Sequence, residues 1–163
     1  MTMKLQFAHQ DDQKRAVDAV VKVFAGQPLA KSDFALAAQQ GSVAYAGDGS
    51  IGNALTLSDE QLLANVQAVQ AANGLEQSAA LAESRSDNGK EGFCPLNLTI
   101  EMETGTGKTY SFIKTMFELN KVYGFKKFVV VVPSVAIREG TMKNLEITRS
   151  HFAADYRNVP CVP

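Results

Sequence analysis

The stretch NLTIEMETGTGKTYSF, residues 97–112, sets a glycine-rich turn between two segments of different character. Upstream, LTIEM has the composition of a strand. Downstream, a helix is expected from Lys108 to about Val122, with Phe112, Met116 and Phe117 apolar and Gly124 as its C-cap. KFVVVVP follows. Its four consecutive valines do not alternate with polar residues, which predicts a strand buried on both faces, as in a parallel sheet, ended by Pro133. SVAIREGTMKNLEITRSHF then reads as mostly helical, with Gly140 a candidate break. Strand, glycine turn, helix, strand, helix is a βαβ unit with an expected right-handed crossover, so the fold class is α/β.

The core of the turn, GTGKT, is built for phosphate. Successive backbone N–H groups from Thr104 to Thr109 can converge on an anion, and a helix starting near Lys108 adds the positive end of its dipole. Gly105 and Gly107 permit backbone angles and a close approach that a β-carbon would block. Lys108 is the candidate catalytic cation, reaching the β- and γ-phosphates, and the Thr109 hydroxyl is placed to ligate Mg²⁺. The pattern G-x-G-K-[ST] arises by chance in about one chain in a hundred of this length, and the flanking strand and helix candidates make an ordinary strand-to-helix turn the weaker reading.

The full phosphate-loop pattern asks for glycine where Met102 stands, between Glu101 and Glu103. Bare carboxylates aimed at phosphates would repel them, so both side chains are expected to point away from the loop. Two roles stay open for them: solvated or paired charges at the end of a strand, or one carboxylate orienting a metal-bound water or an arginine. Met102 is expected to pack beside the loop.

Two further regions precede residue 97. In residues 1–27, Ala16, Val17, Val20, Val21 and Phe24 keep one face of a helix, which Gly26 and Pro28 stop, and KLQFAH before it reads as extended. Residues 28–96 are rich in Ala, Gln, Gly and Ser and read as an insertion. There QQGSVAYAGDGSIGNA suggests turns and a short hairpin. Ser58 and Gln61 form a capping box for a helix carrying Leu62, Leu63, Val66 and Val69, which Asn73-Gly74 ends. ESRSDNGKEG is polar, rich in turn formers and expected to be mobile. At 45% hydrophobic and 20% charged residues, the 163-residue chain has the material for a genuine core, and a net charge of −1 neither favours nor excludes nucleic acid. No apolar run reaches membrane-spanning length and the N-terminus lacks a signal-peptide core, so a cytoplasmic location without membrane contact is expected. Cys94 and Cys161 have no metal-site or disulfide spacing and are expected to be reduced thiols.

METGTGKT followed by VVVVPSVAIREG closely resembles the N-terminal motor segment of the Res subunits of type III restriction–modification enzymes, within the superfamily-2 DEAD/DEAH-type helicases. FAHQDDQKRAVDAVVKVFAGQPLA and FKKFVVVVPSVAIREGTMKNLEITRSHF extend the resemblance over most of the chain. It implies a RecA-like phosphate-loop domain, with ATP and Mg²⁺ as cofactors. Helicase motif I falls on Met102 to Thr109, with Thr104, Gly105, Thr106, Gly107, Lys108 and Thr109 at the nucleotide. The adenine-reading glutamine falls on Gln13, with Gln10 as the competing position; without the resemblance either reads as a surface helix residue. A carboxamide offers both a donor and an acceptor to the edge of adenine, which suits ATP over GTP. The DNA-contacting motif Ia resembles Val132-Pro133-Ser134. Pro133, Ser134 and Arg138 are therefore the candidate DNA contacts, with Lys143 and Arg149 as further basic surface; Ser134 as a plain helix N-cap is compatible with that role.

The resemblance also implies parts that these residues do not show: a D-E-x-x motif, a second lobe supplying an arginine, and a nuclease. The expectation is an N-terminal piece of a longer ATP-driven DNA translocase and endonuclease, holding an incomplete first lobe with a polar insertion. Its partners would be DNA and a DNA-methylating modification subunit, and by itself it would neither hydrolyse ATP at a useful rate nor cut DNA. The alternatives are another superfamily-2 motor, such as a type I restriction subunit or a repair helicase, and a non-functional remnant.

Overall fold

The computed structural model describes residues 10–29, 53–81 and 96–156. KLQFAH, ESRSDNGKEG, most of QQGSVAYAGDGSIGNA and both cysteines lie outside them. The described residues form four helices: α1, Asp11–Val23; α2, Asp59–Ala72; α3, Lys108–Tyr123; and α4, Val135–Asp155. The chain divides into two compact units. One comprises Met1–Gly26 and Leu57–Thr115, the other Gln27–Thr56 and Met116–Pro163, and the boundary falls inside α3.

In the first unit α1 packs on α2. Val23, Leu62 and Val66 are buried, with Phe24, Leu57, Val69, Leu81 and Leu96 against them. Each such side chain is worth about 1.5–3 kcal/mol when fully removed from water. The α2 termini follow their sequence signals closely. The Ser58 N–H donates to Gln61 Oε1 at 3.0 Å while the Gln61 N–H donates to Ser58 Oγ at 3.3 Å, a reciprocal capping box. At the other end Gly74 adopts φ +69°, the Leu75 N–H donates to the Gln70 carbonyl and the Gly74 N–H to that of Ala71, the two bonds of a Schellman ending. Asn65 Nδ2 donates to the carbonyls of Val23 and Ala25, each at 2.9 Å, so α2 also caps the C-terminal end of α1.

The second unit is organised by aromatic rings. Phe117 stacks on Phe152 at 4.9 Å and on Tyr156 at 5.0 Å between centroids, and the Tyr156 hydroxyl donates to Glu118 Oε1 at 2.7 Å. Phe152 is 1% exposed. Two carboxamides tie irregular backbone together. Gln27 Nε2 donates to the Ala54 carbonyl while Gln27 Oε1 accepts from the Thr56 N–H. Asn53 Oδ1 accepts from the N–H groups of Lys126 and Lys127, and Asn53 Nδ2 donates to the Lys127 carbonyl.

Two expectations are corrected here. The valine run is not a buried strand: Val129 is 90% and Val131 88% exposed, and no strand is assigned among the described residues. Burial on both faces needs a strand on each side and helices above and below. Among the described residues, Lys126 and Lys127, which lead into the run, are held by the side chain of Asn53 rather than by a neighbouring strand. The second correction is Gly140. Helix α4 runs through it without a break, and the Asn144 side chain donates to its carbonyl at 3.0 Å. The helix has 21 residues between the Ser134 cap and Tyr156, long enough to tolerate one interior glycine, which costs only about 1 kcal/mol.

Candidate nucleotide-binding site

The glycine turn lies in the first unit. Gly105 and Gly107 both adopt φ +85°, the left-handed region that excludes most side chains. The Glu103 carbonyl organises the turn: it accepts from the Thr106 N–H at 3.4 Å, the Thr106 hydroxyl at 2.7 Å and Lys108 Nζ at 2.6 Å. Lys108 Nζ also donates to the Met102 carbonyl at 2.6 Å. The ammonium is thus drawn over the turn, with two of its three hydrogens on loop carbonyls.

Helix α3 starts directly at Lys108, and its first turn is closed by the Ser111 N–H on the Gly107 carbonyl at 3.0 Å. The N–H groups of Lys108 and Thr109 precede that bond and have no partner within the helix. They lie at its positive end, where an anion is favoured. Thr109 is half-buried beside them. The turn therefore fits a phosphate group: left-handed glycines, helix N–H groups, a cation and a hydroxyl come within six residues. Glu101 and Glu103 are exposed, and among the described residues it is the Glu103 backbone, not its carboxylate, that bonds the turn. Met102 is half-buried next to it.

Gln13 is brought to this turn from α1. It is only 9% exposed, and Gln13 Nε2 donates to the Thr106 carbonyl at 2.9 Å. A β-carbon on Gly107 would overlap Gln13 Nε2, whereas one on Gly105 would meet nothing. The surface-residue reading of Gln13 is thereby overturned. Gln10 is the exposed N-cap residue of α1 and makes no side-chain cap bond. A signal for Gln13 was present in the sequence: it stands four residues before Val17, on the face of α1 that is buried.

Pro133, Ser134 and Arg138 lie in the second unit and are exposed. Ser134 is the N-cap of α4, its hydroxyl accepting from the Ile137 N–H at 3.3 Å. Arg138 pairs with the adjacent Glu139 at 3.0 Å, and Lys143 with Glu146 at 2.8 Å. The hydrogen bond from Lys143 and then its charge, helped by Arg149, hold the Glu146 carboxyl below its ordinary range. Two of the expected basic side chains are therefore shared with acids of the same helix. No cluster of His, Cys, Asp and Glu able to hold a metal occurs among the described residues, and none of their helices is long and apolar enough to cross a membrane.

A left-handed glycine turn that feeds a lysine and a threonine into a helix N-terminus defines the class of phosphate-loop proteins. Comparison with known proteins makes the assignment specific. The chain belongs to the family described as type III restriction enzyme, res subunit, whose model matches residues 7–158. It is similar to the Res subunit of the type III restriction-modification enzyme EcoPI of Escherichia phage P1, with 34% identity over 146 residues, 88% of this chain and 13% of that protein. The EcoP15I Res subunit of Escherichia coli is 39% identical over 105 residues, 63% of this chain and 10% of that protein. The StyLTI Res subunit of Salmonella typhimurium is 47% identical over 64 residues, 38% of this chain and 6% of that protein. The matched regions thus span about a tenth of the length of these relatives.

Proposed function

We propose that this chain is the ATP-binding part of the motor of a type III restriction enzyme, at the start of a RecA-like lobe. Thr104 to Thr109 would cradle the phosphates, Lys108 would neutralise charge on the β- and γ-phosphates, Thr109 would ligate Mg²⁺, and Gln13 would contact adenine. The observation that carries this reading is the pair of left-handed glycines set directly before a sixteen-residue helix that opens with Lys108 and Thr109. The buried amide of Gln13 at Thr106 supports the nucleotide assignment from a second element. The family match favours a type III motor over a type I subunit or a repair helicase.

In this reading ATP supplies the free energy of a DNA translocase, and the α4 N-terminus with Pro133, Ser134 and Arg138 belongs to its DNA track. DNA cleavage and the partnership with a methylating modification subunit are properties proposed for the whole protein, not for these residues alone. The chain by itself is proposed to bind ATP without hydrolysing it at a useful rate.

Calorimetric titration with Mg-ATP tests the site. Wild-type chain should bind, and Lys108→Ala should abolish binding. Undiminished binding by the Lys108→Ala protein would show that the nucleotide sits elsewhere.

A further inference from the structure

We propose that Gln13 is a positioning residue for the phosphate loop, acting on the phosphate half of the site whether or not a base is present. This rests on the reading of the turn as a phosphate site but assigns Gln13 a role beyond contact with adenine.

The peptide between Thr106 and Gly107 is held from outside the loop. Thr106 stands between two glycines at φ +85°, where the backbone has the least intrinsic preference to hold one orientation. A donor from outside the loop fixes it: Gln13 Nε2 holds the Thr106 carbonyl at 2.9 Å from a buried position on α1. In a trans peptide the carbonyl and the following N–H point in opposite directions. Holding the Thr106 carbonyl toward Gln13 therefore turns the Gly107 N–H away from Gln13, and this N–H is one of the donors an anion at the turn would need. The steric contact acts in the same sense. Gly107 lies so close to the carboxamide that a β-carbon there would overlap it, while Gly105, equally left-handed, has open space around it. Gln13 thus sets both the orientation of the peptide and the distance at which the loop passes α1. One amide hydrogen is used on Thr106; the second hydrogen and Oε1 remain for a base, so the two roles coexist.

The test separates the phosphates from the base. Wild-type, Gln13→Met and Gln13→Ala chains are titrated with inorganic triphosphate and with ATP, each with Mg²⁺, and amide exchange of residues 104–108 is measured without ligand. Gln13→Met keeps the bulk beside Gly107 and removes the donor. Circular dichroism melts check that each variant folds.

Loss of one such hydrogen bond is expected to weaken inorganic triphosphate about fivefold. ATP should weaken by at least as much, and exchange of the Gly107 amide should be faster in Gln13→Met. Triphosphate affinity within twofold of wild type, with unchanged exchange, would overturn the proposal and leave Gln13 as a base contact only. If wild-type chain binds neither ligand, the nucleotide reading itself fails, and the exchange of Gly107 alone decides whether Gln13 positions the loop.

Discussion

Ser111 is buried in the first turn of α3, and its hydroxyl finds no hydrogen-bond partner among the described residues. An unsatisfied buried hydroxyl costs about 1–3 kcal/mol, so Ser111→Ala should raise stability by about 1 kcal/mol in chemical denaturation. A loss of stability would instead mean that the hydroxyl is bonded. At Glu146 the sign of the pH effect follows from the lowered carboxyl. A carboxyl held low in the folded chain contributes stability that is present above its unfolded pKa and fades as pH falls through the folded value. The pair is exposed and its contribution is small. Lys143→Ala should move the Glu146 titration upward in an NMR pH series, and an unmoved titration would remove Lys143 as the cause. Residue by residue, the left-handed glycine turn and the helix start at Lys108 were readable because glycine spacing and a following lysine are local signals. The depth of Gln13 was harder to read, because its burial depends on a partner 93 positions along the chain.

Among the elements, α2 was fully written in its sequence: Ser58 and Gln61 at one end and Asn73-Gly74 at the other act within a few residues of each other. Ser58→Ala should cost about 1 kcal/mol, measured as a drop in the denaturation midpoint at unchanged slope. Helix α4 was only partly legible. Gly140 suggested a break, yet its position is helical, exposed and open to an added β-carbon. Gly140→Ala should therefore stabilise the protein by about 0.5–1 kcal/mol. Destabilisation there would reveal a neighbour that needs the glycine. The anchoring of the α4 C-terminal end by Phe152 and Tyr156 was not legible, because the sequence around them is polar and their partner, Phe117, lies on another helix.

At the level of the whole molecule, the aromatic cluster and the valine run have opposite consequences. Phe152→Ala empties a fully buried position stacked on Phe117 and should cost about 3–5 kcal/mol, read from thermal or denaturant unfolding. Val129→Lys should leave the melting temperature nearly unchanged, since Val129 is solvent-facing, while reducing self-association in light scattering. An apolar β-prone run of this kind is otherwise a template for pairing between chains. Equal association by wild type and variant would show that the run is not the sticky surface. The sequence pattern predicted a strand buried on both faces because hydrophobic runs report what a segment can bury, whereas Val129 and Val131 are open to solvent.

The bond between Gln13 and Thr106 also has a meaning in time. Its partners are 93 residues apart, and synthesis proceeds at about 5–20 residues per second. The ribosome therefore makes Gln13 roughly 5–20 seconds before Thr106 exists. During that interval the carboxamide on α1 has no loop to hold, and the glycine turn can reach its final shape only after α3 has begun to emerge.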